Sequence, residues 1–435
     1  MRILLSVLLV SAAQAASMRV NESAFVAGPD GMPAGWTTWS ARAETAPRCY
    51  VDPLHYRTKP GSLAIYGQSN IAEHGGWHRL VPGVEPGSWY RFTAYYRTEG
   101  VSHESVQVLA RVDWSNGSKR VGRPDYVYKT TREGGWTRLT MDAPAPDKAA
   151  SATLQLYLSN SPQGTVWWDD ISFEQISAPA PRPVIIATVN LRPQGTKDPA
   201  VSVKRFIETI EATVPAKTDV ILLPEGITVV GTGKQYVDVA ETIPGPTTKS
   251  LGELARRRKT YIAAGIYERE GSVVYNTAVL IDRAGNVAGR YRKVYLPHPE
   301  IEAGLTPGND YPVFKTDFGV VGMMICYDVF FADPARALVS RGAEIVLMPI
   351  WGGDLTLGKA RAIENKVFLA SSGYDYPTQV MDPDGEIVAK APADASAAVV
   401  TVDLSNRYWH ANLGDMRGRR AKELRVDVPT PIPGR

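Results

Sequence analysis

From Val184 the chain alternates short apolar runs with segments of helical spacing. VIIATVNL (184–191) reads as a buried strand. Residues 199–214 place Val201, Val203, Phe206, Ile207 and Ile210 on one side of a helix. DVILLPEG (219–226) predicts the next strand and LGELARRR (251–258) the next helix. YIAAGIYER, VVYNTAVLID and NVAGRYRKVYL predict three strands in sequence, with a turn at Arg283–Asn286 between the last two. An apolar run from Val320 to Ile325 then delivers Cys326; a helix is predicted from Asp333-Pro334, and a second apolar run spans Glu344 to Ile350. Strands mixed with intervening helices predict a layered α/β domain with buried strands.

Before residue 176 the period is different. SLAIYG (62–67), YRFTAYYRT (90–98), VQVLARVDW (106–114), TRLTMDAP (137–144) and ATLQLYLS (152–159) are short runs of strand character, punctuated by Gly, Pro, Asn and Asp. That pattern predicts an all-β sandwich of antiparallel strands. Eight of the ten tryptophans lie here, which marks a separate unit, and core packing accounts for most of them. Three prolines in Ser177–Pro183 predict a stiff linker between the two. After Leu404 the chain has no core pattern of its own and carries a basic stretch, Arg417 to Arg425. The expected organisation is therefore 1–17, 18–176, 177–183, 184–404 and a tail, 405–435.

Residues 1–17 carry Arg2, an apolar core from Ile3 to Val10 and the small-x-small sequence Ala13-Gln14-Ala15. They predict an export signal, hence a secreted or periplasmic product with no membrane span. A net charge of +3 over 435 residues offers no argument for nucleic acid or an anionic membrane as partner. Only Cys49 and Cys326 are present, in different predicted domains, so a disulfide is not expected and Cys49 reads as structural.

Three apolar runs end in reactive groups: Glu225 after ILLP, Lys293 in GRYRKVYLP, and Cys326 after VVGMMI. A cysteine at the carboxyl end of a buried strand sits where open α/β folds bind ligands, and a helix start just beyond it is expected to favour the thiolate. A carboxylate in a largely apolar setting suits a general base and later acid, and a lysine supplies charge and N–H donors for an oxyanion. Each residue alone has a plainer explanation: a helix-start carboxylate, an edge-strand lysine, a small buried thiol.

Together, in this order, they resemble the carbon–nitrogen hydrolase (nitrilase) superfamily, with its Glu-Lys-Cys triad. The resemblance covers about 184–404 and extends to YNTAVLIDRAGNVAGRYRKVYLP, SRGAEIVLMPIW, AIENKVFLASS and MDPDGEIVAKAP. It implies a four-layer αββα sandwich and hydrolysis through a covalent thioester. It also implies Glu300 as an auxiliary glutamate, with Glu302 in competition. The backbone N–H of Tyr327 becomes the second oxyanion donor, and Tyr327 and Trp351 become pocket residues. It calls for no catalytic cofactor, takes a small amide-type substrate, and allows a homo-oligomer through the hydrolase domain. Cys326-Tyr327-Asp328, where true nitrilases have Cys-Trp-Glu, favours an amidase over a nitrilase, with an N-carbamoyl amidohydrolase as a further alternative. Loss of a triad residue would have favoured an inactive polysaccharide-binding protein instead.

The segments GMPAGWTTW (31–39) and GTVWWDDISFE (164–174) resemble the ends of a carbohydrate-binding-module type of jelly roll. That resemblance implies a polysaccharide or envelope polymer as partner and a structural calcium with Asp169 as a ligand. Two rival chemistries lack their residues: His298 and His410 alone lie in the second half, with no papain-type cysteine motif, and six scattered histidines make no zinc pattern.

Overall fold

The computed structural model describes residues 17–410 and 412–428. All but the last residue of the predicted export signal lie outside the described residues. The chain forms two compact units, one comprising Pro181–Asn406, the other the residues up to Ala180 together with those from Arg407 onward. No helix among the described residues is long and apolar enough to cross a membrane.

The first unit is built from two antiparallel sheets. One centres on Trp89–Glu99 paired with Trp136–Pro144 and Thr165–Ile176; the other centres on Ser151–Ser159 between His74–Pro82 and Val108–Asn116. The inward positions of both sheets supply one apolar core, which holds Trp36, Trp77, Trp114 and Trp168. Trp136 and Trp167 are buried in a smaller cluster against Ala64. Core packing thus explains six of the eight tryptophans of this half.

Asp169, the expected calcium ligand, is buried and already engaged. Its carboxylate accepts backbone N–H groups of Arg57 at 2.7 Å, Thr58 at 2.9 Å and Asp170 at 2.8 Å. Among the described residues no group of three or more His, Cys, Asp or Glu side chains is arranged to hold a metal. The carboxylate secures a loop through charge-assisted hydrogen bonds, and a calcium site here finds no support.

The stretch beyond Leu404, expected to be a tail without a core pattern, has one. A hairpin of Trp409–His410 and Gly414–Asp415 leads into the helix Met416–Glu423, capped by the Asp415 side chain on the Arg417 N–H. Arg407 pairs with Asp125 and, at 3.5 Å, with Asp415. Asp125 also accepts the indole N–H of Trp114 at 2.8 Å. Lys422 is buried and donates to the Val108 carbonyl at 3.2 Å. The basic composition concealed this because the buried partners are charges, which no hydrophobic pattern reports.

The second unit holds two six-stranded mixed sheets. In the first, Pro183–Asn190, Val220–Leu222 and Tyr261–Glu270 run parallel, and Val273–Ile281 and Val287–Arg292 extend it antiparallel. In the second, Val320–Met323, Ile345–Pro349 and Phe368–Ser372 run parallel. The sheets face each other, and the Ser372 hydroxyl donates to the Val189 carbonyl at 2.6 Å between them. Helices Pro199–Thr213 and Pro246–Arg258 pack on the first sheet, Asp333–Ser340 and Leu355–Asn365 on the second. This is the four-layer arrangement expected. The helix Pro199–Thr213 forms for local reasons: Asp198 caps the Ala200 N–H, Pro199 opens the first turn, and Val203, Phe206 and Ile210 are buried.

One prediction concerns the closing segment of the first unit. Removing one member of a buried ion pair strands the other charge, at a cost on the order of 3 kcal/mol. Arg407→Ala should therefore lower the denaturant midpoint of the tryptophan-rich unit, read by tryptophan fluorescence. An unchanged midpoint would mean the segment contributes nothing to its stability.

Candidate active site

Glu225 and Cys326 both follow parallel strands, but neither is in one. The first strand ends at Leu222, three residues before Glu225, and the second at Met323. Lys293 lies one residue past Val287–Arg292. Glu225 and Lys293 are buried to within 2% exposure, and the Lys293 ammonium lies 3.0 Å from Glu225 Oε1 and 2.9 Å from Glu300 Oε1. Asn276, in the middle of Val273–Ile281, donates its amide to the same two oxygens, at 2.7 and 2.9 Å. Glu225 Oε2, Glu300 Oε2 and Asn276 Oδ1 have no hydrogen-bond partner. The ammonium has three N–H donors and spends two on the carboxylates, while these three acceptors stay unpartnered.

Burial alone would pull the Lys293 pKa down, but the charges of Glu225, Cys326 and Glu300 outweigh it and hold it above the usual lysine range. Glu300 is also shifted upward, above a free carboxylate: burial raises it, and Glu225 adds to that, while Lys293 opposes. Of the two glutamates in competition, Glu300 joins this cluster, whereas Glu302 is exposed and pairs with the exposed His298 at 3.3 Å.

Cys326 occupies a left-handed backbone conformation, φ +46°, a region L residues adopt only when the surroundings enforce it. Asp328, fully buried, supplies that enforcement. It accepts the Ile325 N–H at 2.8 Å, the Tyr295 N–H at 3.0 Å and the Tyr291 hydroxyl at 2.6 Å. One carboxylate thereby ties the cysteine turn to the segment that follows Lys293. Gly265 has a matching steric role: a Cβ there would lie 2.6 Å from the Glu225 Cα.

The thiol state differs from expectation. The Cys326 turn is followed by a short 3₁₀ segment, Cys326–Phe330, and the α-helix begins only at Asp333. Burial, reinforced by the Glu225 charge, pushes the thiol up to about 12; Lys293 and the backbone of Gly352 and Trp351 pull the other way and lose. The sulfur donates to the Gly352 carbonyl at 3.3 Å. The direction of this balance favours the thiol over the thiolate.

Tyr327 packs against Phe330 and Phe331, with ring centroids at 5.3 and 5.5 Å. Trp351 precedes Gly352 and meets the Tyr374 ring edge-on at 4.7 Å. Asn276 and Tyr374 were not singled out by sequence reasoning, and Asp328 only as a letter of the Cys-Tyr-Asp signature, with no role attached. Asn276 and Asp328 sit inside the quoted motifs YNTAVL and CYD, so the motif rather than residue chemistry could have flagged them.

Two facing α/β layers thus hold, in one unit, a buried carboxylate–lysine cluster and a cysteine in a left-handed turn. Residues 185–409, more than half of the chain, match the model of the carbon-nitrogen hydrolase family, and the chain belongs to that family. It is similar to the omega-amidase NIT2 of Homo sapiens, 28% identical over 231 residues that cover 47% of this chain and 83% of that protein. It is also similar to a nitrilase of Pyrococcus abyssi, 32% identical over 200 residues, 43% of this chain and 74% of the other. Among solved structures, an amidase from Nesterenkonia sp. aligns with a TM-score of 0.46 at 24% identity, covering 53% and 95% of the two chains. The protein is thus an enzyme that hydrolyses a carbon–nitrogen bond.

The thiol state is testable. Thiolate absorbance, taken as the difference from Cys326→Ser, should stay low up to about pH 10, past the value of about 8.5 at which a free cysteine ionises. Glu225→Gln removes a negative neighbour and should move the ionisation to lower pH; Lys293→Met removes a positive one and should move it higher. Shifts of the opposite sign would contradict this account of the site's charges.

Proposed function

We propose that the protein is an exported amidase in which Cys326 is the nucleophile, Glu225 the proton carrier and Lys293 the oxyanion donor. What supports this reading most is the buried cluster itself: Lys293 is held by one oxygen each of Glu225 and Glu300, and Glu225 keeps its other oxygen unpartnered. The Cys326 proton passes to Glu225 as sulfur bonds to the amide carbon. The oxyanion takes an N–H of Lys293 and the backbone N–H of Tyr327. Glu225 returns the proton to the leaving nitrogen, the C–N bond breaks, and an acyl thioester remains. Water then gives a proton to Glu225 and attacks the thioester; the C–S bond breaks, the thiol is restored and the acid leaves. Starting from a thiol is consistent with this, since the proton leaves for Glu225 in the same step in which the sulfur electron pair bonds to the amide carbon. Glu300 and Asn276 are positioning residues that hold Lys293 and Glu225 in register.

The amidase assignment over a nitrilase rests on Cys326-Tyr327-Asp328 and on the omega-amidases among the relatives. Ammonia release should be followed over simple amides, N-carbamoyl compounds and nitriles. Amides should turn over and Cys326→Ala should abolish it. Lys293→Ala should cost on the order of a hundredfold or more in turnover, whereas the exposed His298→Ala should keep most of it. Nitrile turnover without amide turnover would reverse the assignment, and activity surviving in Cys326→Ala would remove the mechanism.

For the first unit we propose glycan binding that keeps the enzyme near an envelope or extracellular polymer. The supporting observation is a cleft of about 210 Å³ on one sheet, lined by Trp39, His78, Arg111, Asp113, Arg120 and Tyr157 among others. Trp39 is 39% exposed and stacks on His78 and Tyr157, at 5.6 Å and 10° and at 5.5 Å and 25°. Burial, with the Arg111 charge, pushes His78 down to about 4, so its ring is neutral at ordinary pH. A ring held flat amid fixed polar groups suits the apolar face of a pyranose. Affinity electrophoresis of the full chain in gels containing soluble polysaccharides should show retardation by at least one glycan, lost in Trp39→Ala. No retardation in any gel would exclude this role.

A further inference from the structure

The outward face of the second sheet of the sandwich carries its polar side chains in register. Arg111, on Val108–Asn116, lies opposite Gln155 on Ser151–Ser159, and Gln155 lies opposite His78 on His74–Pro82. Two residues along, Tyr157 lies opposite Gly76, and Gly76 opposite Trp39 on Trp36–Ser40. Strand residues two apart share a face, so both rows open on the cleft that Trp39 lines. Gly76 puts no side chain between Trp39 and Tyr157, and the two rings stack at 5.5 Å.

Charge in this cleft is uneven. Asp113 is already answered: Arg120 donates to its two oxygens, at 2.8 and 2.6 Å, and Gln155 donates to one of them at 3.4 Å. Glu423, whose charge reaches Tyr126 beside Arg111, is paired with Arg419. Among the described residues no carboxylate forms an ion pair with Arg111. Arg111 is nonetheless fixed in place. Its Nε donates at 3.0 Å to Oε1 of Gln155, which is buried, and its Cζ lies 4.9 and 5.8 Å from the ring centroids of Tyr157 and Tyr126. An amide oxygen and two phenol rings thus set its position without meeting its charge. Burial first, and the Arg111 charge after it, hold His74 and His78 below the usual imidazole range, so neither ring competes as a second cation at ordinary pH. A fixed, unanswered guanidinium beside a stacking surface selects an anionic ligand over a neutral one. The chain's net charge of +3 over 435 residues gives no general attraction for polyanions, so the selection is local.

We propose that this cleft binds an acidic glycan, a polymer of uronic acid, with a sugar ring stacked on Trp39 and a uronate carboxylate on the Arg111 guanidinium. The proposal rests on the glycan-binding reading of the first unit and adds the class of glycan. Tyr157 touches both Trp39 and Arg111, so the stacking face and the cation can engage one sugar or two neighbours in a chain. A carboxylate offers the planar fork of a guanidinium two matching oxygens. A neutral sugar offers it only hydroxyls, and a sulfate ester has the charge without the planar pair.

Titration calorimetry of the full chain should compare oligosaccharides of galacturonate, glucuronate and mannuronate with their methyl esters, which keep the sugar and lose the charge. At least one uronate series should bind about tenfold more tightly than its ester, the value of one hydrogen bond to a charged group. Arg111→Gln should remove that difference and leave the ester unchanged, Arg111→Lys should restore part of it, and added salt should narrow it in the wild type. Trp39→Ala should weaken acid and ester alike. Lys129→Gln makes the same change of charge in a cleft of the other sheet, beside Arg91 and Arg138, and should leave the difference intact. Equal binding of acid and ester, a difference that survives Arg111→Gln, an equal loss in Lys129→Gln, or tighter binding of sulfated dextran than of any uronate would each overturn the acidic subsite. Binding of neutral glycans alone overturns it while leaving the glycan reading intact; binding of no glycan, acidic or neutral, removes both.

Discussion

A lysine ammonium withdrawn from water is the constraint around which the catalytic unit is arranged. Full burial of such a charge is affordable only when opposite charges and hydrogen bonds replace its hydration. Glu225 and Glu300 supply the charges from two different segments, and Asn276 fixes the oxygens that receive the ammonium. The requirement reaches outward. Gly265 must lack a side chain so that Glu225 can approach, and Asp328 must be buried so that the cysteine turn and the segment after Lys293 move as one piece. Each of these is a local departure from what the residue would do alone.

The same low-polarity setting acts on the Cys326 thiol. Burial and the Glu225 charge keep Cys326 protonated, although Lys293 is nearby. On the proposed mechanism the site is built for charge to appear only as the substrate carbonyl accepts it. A pre-formed thiolate would instead need compensation in the resting enzyme, and Lys293 is already shared between two carboxylates. The left-handed backbone at Cys326 belongs to the same logic, since it turns one residue out of the strand direction at a point held by three hydrogen bonds to Asp328.

The first unit solves a different problem. Its sheets bury large indoles, whose N–H groups need acceptors, and the interior supplies three of them, Trp77 donating to the Ala64 carbonyl, Trp114 to Asp125 and Trp167 to Asp52, while the Trp168 N–H goes without. Burying Asp125 in turn calls for a cation, and Arg407, 282 residues along the chain, provides it. The hydrolase unit is thus inserted between two parts of one folded body, with the last strand of the sandwich before it and the Arg407 segment after it.

Much of this was legible in the residues alone. Apolar runs of four to eight residues located the parallel strands, because a strand buried on both faces must be apolar throughout. Glu225, Lys293 and Cys326 stood out because polar groups at the ends of such runs are costly without a purpose, and Glu300 because the motif around it matched. Four matters were decided only in three dimensions. Asn276 had no role in the sequence and Asp328 was only a letter of a signature until the fold brought their partners from distant segments. The choice of Glu300 over Glu302 depended on which side of a five-residue helix faces inward. The thiol state of Cys326 followed from the balance of burial against charges assembled from separate strands. Asp169 and the segment after Leu404 were misread for one reason: sequence shows that a carboxylate or an arginine is present, but whether its partner is a backbone amide, a buried opposite charge, a metal ion or water is a property of the packed chain.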